Sequence, residues 1–251
     1  MGNIIEVRDL KKKYGKHEAV KGVTFSVARG EVFGILGPNG AGKTTTLEMM
    51  ETLLSITSGT VEIDGVDVAK DPRAVQKMIG VQLQSTAFLE KLTLKDQLEL
   101  FAGVNGVKVN VEKLLKDFDL VAKKDEFPEN LSGGQRQRFS IATAIVHEPK
   151  VIFLDEPTTG LDPQARRNLW ELVQTIKKQG ITVILTTHYM DEAELLCDRV
   201  AMMDGGKILT INTPKKLIKE LLGRGFKKAQ VVEQANLEDV FIDLTGKDLR
   251  E

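Results

Sequence analysis

The octapeptide Gly37-Pro38-Asn39-Gly40-Ala41-Gly42-Lys43-Thr44 constrains this chain more than any other stretch, because it fills every fixed position of the pattern G-x-x-x-x-G-K-[ST]. The apolar run Val32-Phe33-Gly34-Ile35-Leu36 precedes it, and the helix-compatible residues 45–53 follow. The order is strand, glycine loop, helix. Three glycines let the backbone turn its N–H groups inward around a polyphosphate, and the helix N-terminus adds partial positive charge. On this reading Gly37, Asn39, Gly40, Ala41, Gly42 and Thr45 belong to a phosphate cradle. Lys43 reaches the β- and γ-phosphates, and the Thr44 hydroxyl is a ligand for Mg²⁺. Nucleotide binding is the first expectation.

Patterning along the rest of the chain supplies a frame for that loop. Residues 4–10 and 23–27 alternate apolar and polar side chains around the turn-rich residues 11–16, which predicts a β-rich N-terminal lobe with Lys11, Lys12 and Lys13 on a solvated face. Tyr14 in that loop offers a ring that either packs locally or stacks on a purine. Residues 59–65 and 79–84 read as short strands. Between residues 92 and 127 the spacing becomes helical, broken at residues 103–106, and predicts a helical insertion ending at Pro128. Ser132 is placed to cap a helix, with Gln135 three residues on as in a capping box. The apolar run 151–154 ends in Asp155-Glu156-Pro157, residues 163–178 are helical, and strand 181–185 leads into Thr186-Thr187-His188. Strands alternating with helices predict an α/β fold with a largely parallel sheet covered on both faces. A hairpin over 200–203 and 207–211, a helix over 214–222, a strand over 229–232 and a helix over 237–244 close the chain without evident chemistry.

Three strand ends thus deliver polar groups toward the glycine loop. Asp155 is the anionic oxygen that a Mg²⁺ ion opposite Thr44 needs. Glu156 beside a γ-phosphate can orient and polarise an attacking water, and His188 ends the next buried strand, where an imidazole can contact the same phosphate. Gln84 is an amide able to sense the metal or the water. Ser132, Gly133, Gly134 and Gln135 form a second anion-binding helix N-terminus. Thirty-five basic and 36 acidic residues leave a net charge of -1, so no global field draws the chain onto nucleic acid. No apolar run approaches the roughly 20 residues a membrane helix needs, which leaves any membrane role to a partner. The single cysteine, Cys197, fits a reducing compartment.

With these residues in family order from about position 4 to 209, the sequence resembles an ATP-binding cassette (ABC) ATPase. The resemblance implies a P-loop NTPase core of RecA-like type with an N-terminal antiparallel β lobe, an α-helical subdomain and a short C-terminal extension. The ATPase domain would span residues 1–215, with the helical subdomain at about 85–147, and the extension 216–251. Residues 37–44 match the Walker A loop, Gln84 the Q-loop, residues 131–135 the signature motif, Asp155 the end of the Walker B strand, Glu156 the catalytic base, residues 160–162 the D-loop and His188 the switch histidine. Tyr14 falls where an aromatic stacks on adenine. The resemblance also implies why there are two anion sites: two cassettes, a homodimer or a related pair, pack head to tail around two ATP with Mg²⁺, Ser132 and Gly134 of one closing over the ATP of the other. Residues 158–163, 187–194 and 237–246 resemble bacterial cassettes that drive ABC-2 type exporters. Transmembrane permease subunits, a place on the cytoplasmic face of the membrane and export follow as expectations. A soluble ABC ATPase acting on a non-transport partner is the alternative. Gln82-Leu83 and Ile56 depart from residues common in relatives, outside the phosphate chemistry.

Overall fold

The computed structural model describes residues 2–83 and 88–226. β1 (Asn3–Tyr14) and β2 (His17–Ala28) form an antiparallel hairpin in which Tyr14 faces His17 across the two-residue turn Gly15-Lys16. Gly15 takes a φ of 59°, as a two-residue hairpin turn requires. Residues 11–14 are therefore strand, not turn. Alternation continues through the lysines, and it turns Lys12 inward to 7% exposure, where its ammonium donates to the carbonyl and hydroxyl of Ser55. The expectation of three solvated lysines fails at Lys12 for that reason.

β3 (Val32–Leu36) opens a second sheet, and α1 (Lys43–Met50) follows the glycine loop. Next come β4 (Ser58–Ile63), β5 (Val66–Asp67), α2 (Pro72–Gln76) and β6 (Ile79–Gln82). The helical region holds α3 (Leu94–Val104), α4 (Val111–Asp117), two 3₁₀ turns and α5 (Gly133–Ile145). Thr93 and Asp96 close α3 with a reciprocal capping box, and Asn110 caps α4, so two short helices start where side-chain oxygens meet their free N–H groups. The remaining elements are β7 (Val151–Asp155), α6 (Pro163–Lys178), β8 (Thr182–Thr187), α7 (Met190–Leu196), β9 (Arg199–Asp204), β10 (Lys207–Asn212) and α8 (Pro214–Gly223).

The first sheet runs β2-β1-β4-β5 and is antiparallel; the second runs β10-β9-β3-β8-β7-β6, parallel except for β10. Phe25 of β2 stacks on Phe33 of β3 with ring centroids 5.3 Å apart, joining the two sheets through one core with Leu47, Met49 and Met50 of α1. Each such fully buried side chain contributes about 1.5–3 kcal/mol. β3, β7 and β8 are buried along their whole length, as strands covered on both faces must be. Their register aligns Leu36 with Thr187 and Asp155 with Thr186, so the residues just past these three strands emerge together at one sheet edge. α5 lies against β6 so closely that a Cβ on Gly80 would sit 2.1 Å from the Ala144 carbonyl.

A compact unit ends at Lys216. The strand and helix expected over 229–232 and 237–244 lie outside the described residues, as does Gln84. Among the described residues no helix is long and apolar enough to cross a membrane.

Candidate functional site

The glycine loop is wedged into place by its neighbours. A Cβ on Gly37 would lie 2.1 Å from the Met203 carbonyl, and one on Gly42 would lie 2.8 Å from the Ala19 carbonyl, so β9 on one side and β2 on the other admit only glycine there. Gly42 also adopts φ 100°, left-handed backbone that favours glycine, and as the residue before α1 it leaves the first-turn N–H groups without a side-chain cap. The turn Gly205-Gly206 between β9 and β10 braces the loop further: Gly206 N–H donates to the Ala41 carbonyl at 3.0 Å, while Lys21 N–H of β2 donates to the Gly206 carbonyl at 2.8 Å. In front of the loop lies a cleft of about 530 Å³ lined by Tyr14, His17 and Ala19 from the first hairpin, by Asn39, Gly40, Gly42, Lys43, Thr44 and Thr45, and by Glu156. Gly37 and Ala41 stand behind it, Ala41 being 2% exposed.

Polar groups converge around Lys43, Thr44 and Glu156 of the cleft wall, with Asp155 and His188 beside them but not lining the cleft. Lys43 Nζ donates to the carbonyls of Gly37 and Pro38 at 2.9 and 3.3 Å and lies 3.4 Å from Glu156 Oε1. Glu156 Oε2 in turn lies 3.2 Å from His188 Nδ1 and accepts from the Thr159 hydroxyl at 3.3 Å. Thr44 Oγ1 is 3.2 and 3.4 Å from the two oxygens of Asp155, a side chain 5% exposed. One residue organises both acids: the Thr186 hydroxyl donates to Asp155 and accepts from the Glu156 backbone N–H at 3.0 Å. That second bond holds Glu156 at φ 46°, a left-handed conformation uncommon outside glycine and asparagine. Behind Asp155, at the end of α1, Glu51 is 2% exposed; burial first, then the charges of Asp155 and Glu48, push its pKa from 4.5 up to about 8.

Ser132 caps α5 with the reciprocal box its sequence predicts: Ser132 Oγ accepts from Gln135 N–H at 3.3 Å, and Gln135 Oε1 accepts from Ser132 N–H at 3.0 Å. Gly134 presses on α6, where an added Cβ would come 2.9 Å from Ala165 Cβ. None of residues 132–135 lines the cleft before Lys43. The N-terminus of α5 is therefore not part of the wall of the cleft in front of α1.

The donor set fits ATP and a small hard cation. Lys43 brings an ammonium to the cleft wall beside the uncapped start of α1, and Thr44 and Asp155 bring hydroxyl and carboxylate oxygens to one point. Among the described residues no group of three or more His, Cys, Asp or Glu could hold a metal. A cation that takes one or two protein oxygens and the rest from phosphate and water is the kind this geometry accepts.

A family model described as ABC transporter matches residues 20–159, more than half of the chain. The chain belongs to the ABC transporter family. It is 40% identical over 224 residues to the daunorubicin resistance ATP-binding protein DrrA3 of Streptomyces coeruleorubidus, covering 87% of this chain and 71% of that one. It is 38% identical over 225 residues to the Nod factor export ATP-binding protein I of Ralstonia nicotianae, covering 88% and 70%. A solved structure of an ATP binding subunit of an ABC transporter superposes with a TM-score of 0.79 at 30% identity, covering 96% of this chain and 99% of that one. The molecule is an ABC ATP-binding and ATP-hydrolysing subunit with the P-loop fold of that family.

In this ABC ATPase three groups around the cleft carry no signature in the sequence reading. His17 lines the cleft beside Tyr14; recognising Gly15-Lys16 as a two-residue hairpin turn places it there. Thr186 and Thr159 touch the acids through hydroxyls, and only strand register and the turn after Pro157 bring them near. Gln84 lies outside the described residues.

Proposed function

We propose that this subunit hydrolyses ATP as one half of a head-to-tail dimer and powers export through separate transmembrane permease subunits. The observation that carries the hydrolytic part is the unbroken contact from Lys43 through Glu156, both on the cleft wall, to His188 behind it, 3.4 and 3.2 Å. In this reading Tyr14 stacks on the adenine, and residues 37–45 wrap the phosphates. Lys43 neutralises charge on the β- and γ-phosphates, which develops further as the terminal phosphoryl group leaves. Glu156 accepts a proton from the attacking water and aims it in line, and His188 holds the γ-phosphate from the other side. Thr44 and Asp155 would hold Mg²⁺, with Gln84 sensing it; when bound the ion would supply positive charge to offset that of the phosphates. Ser132, Gly133, Gly134 and Gln135 cap the ATP held by the second copy, which fits their absence from the wall of the chain's own cleft.

Two of the relatives lend support to the direction of transport, since one is named for daunorubicin resistance and the other for Nod factor export. We take residues 1–215 as the ATPase domain, about 85–147 as its helical subdomain, and 216–251 as a C-terminal extension. The test is a pair of variants. Glu156→Gln is expected to bind ATP, lose most steady-state turnover and elute as an ATP-dependent dimer, whereas Lys43→Ala weakens nucleotide binding itself. Unchanged hydrolysis in Glu156→Gln removes the base assignment.

A further inference from the structure

Among the described residues no aligned hydrogen bond orients the imidazole of His188. Its Nδ1 is buried and lies 3.2 Å from Glu156 Oε2, yet has no partner of hydrogen-bond geometry among the described residues. An imidazole on its two side-chain torsions has several orientations open to it unless something packs on its face. Tyr189 packs on it. The two rings have centroids 4.2 Å apart and planes tilted by 38°. Consecutive side chains meet this way only where the backbone bends between them, and here the Tyr189 N–H donates back to Thr187 Oγ1 at 3.0 Å, folding the chain tightly around residue 188.

Tyr189 is itself fixed from another element. The guanidinium carbon of Arg166 on α6 lies 4.5 Å from the centre of the Tyr189 ring, and its Nη1 is 4.0 Å from Asp191 in the first turn of α7. Arg166 Nε is buried with no hydrogen-bond partner among the described residues, and the guanidinium is held by the ring, by Asp191 and by charge attraction to buried Glu192. The preceding residue on α6, Ala165, is the one against which Gly134 packs. The stack His188, Tyr189, Arg166 thus runs from the cleft to the same turn of α6 that supports the Ser132 loop.

We infer that Tyr189 is a positioning residue for ATP hydrolysis: its ring, clamped by Arg166, sets the direction in which the His188 imidazole faces the γ-phosphate. The inference rests on the reading of His188 given above. An aromatic face contact on a group that must be oriented in the transition state changes turnover more than substrate binding.

The experiment uses the full chain and ATP, with steady-state kinetics, binding of a fluorescent ATP analogue and thermal melting. Tyr189→Ala is expected to lower kcat about tenfold, about 1.4 kcal/mol of barrier, with KM, analogue affinity and Tm close to the parent. Tyr189→Phe keeps the ring and restores most of kcat, and Arg166→Ala falls between the two. In the double variant His188→Ala/Tyr189→Ala, turnover is no lower than in His188→Ala alone, because an absent imidazole needs no orientation. Full kcat in Tyr189→Ala, when His188→Ala has lost it, overturns the inference and leaves the His188 reading standing. So does a Tyr189→Ala loss that persists undiminished in the His188→Ala background, which marks a merely structural ring. Full turnover in His188→Ala removes the underlying reading and the inference with it.

Discussion

Glu156 sits at φ 46° because Thr186 keeps it there. The left-handed backbone of a non-glycine residue costs about 1–3 kcal/mol, and its N–H donates to the carbonyl of Thr186 at 3.2 Å and to the hydroxyl of the same residue at 3.0 Å. Thr186→Val keeps the shape and removes the hydroxyl, leaving the Asp155 carboxylate without that donor. We expect about 1–3 kcal/mol of destabilisation, read from denaturant unfolding, together with a loss of ATPase activity larger than the loss of ATP affinity. A valine variant with parental turnover would show that the strained geometry of Glu156 is supported elsewhere. The Glu51 carboxyl makes a separate prediction. Its pKa is near 8 when folded against an ordinary 4.5, so the folded state binds this proton more tightly than the unfolded one. The stability it contributes is whole below about pH 4.5 and is lost as pH rises through about 8. Glu51→Gln mimics the neutral form. In nucleotide-free buffer its Tm advantage over the parent should widen between about pH 6 and pH 9; a constant gap across that range rules the buried proton out. At this scale the sequence was readable where a residue type has one use in one pattern, as with Lys43 after Gly42. It was silent on Thr186 and Glu51, since a hydroxyl beside two acids or a carboxyl out of water is a consequence of packing that no local pattern carries.

Among elements, the hairpin of β9 and β10 matters more than its sequence suggests. Read alone, residues 200–211 show alternation around Asp204-Gly205-Gly206 and nothing chemical. In the fold β9 lies beside β3, its Met203 carbonyl closes against Gly37, and the Gly206 turn bonds at once to Ala41 in the phosphate loop and to Lys21 in β2. Lys21 Nζ adds a bond to the Gly205 carbonyl at 2.7 Å. The hairpin therefore fixes the distance between the glycine loop and the strand pair that carries Tyr14 and His17. Gly206 has φ 82°, and a Cβ there would lie 2.7 Å from the Ala19 carbonyl, so Gly206→Ala must shift either the turn or β2. The expected result is about 1–3 kcal/mol lower stability and a raised KM for ATP with kcat nearly kept, because the spacing and not the reacting groups is disturbed. Equal losses in kcat and kcat/KM would place the defect in the chemistry instead. The strands of the parallel sheet were visible as buried apolar runs, and α5 and α6 as capped periodic stretches. α7, β5 and α2 were not, being two to seven residues long. Elements so short take their form from what they touch.

For the whole molecule the decisive observation is that the glycine loop lines the cleft while the capped start of α5 does not. Local pattern gives both, because glycines and a capping serine are sequence features. It does not give their placement, since strand order β10-β9-β3-β8-β7-β6 is set by pairings between residues far apart in the chain. Ser132, Gly133, Gly134 and Gln135 are off the wall of the chain's own cleft, and under the proposed head-to-tail dimer each copy would supply the loop to one ATP and the cap to the other. Complementation tests this arrangement. Lys43→Ala spoils a copy's phosphate loop and spares its cap; Ser132→Phe spoils the cap and spares the loop. Each variant alone forms dimers with no intact chamber. A mixed dimer joins the sound loop of the Ser132→Phe copy to the sound cap of the Lys43→Ala copy, so one chamber of two is whole. Random pairing in an equimolar mixture makes half of the dimers mixed, and independent chambers then give about a quarter of the parental rate. The rate also falls on dilution, as dimers dissociate. If tagged copies co-purify as mixed dimers and the mixture is still as inactive as either variant, the chambers are not shared in this way and the Ser132 loop has another purpose.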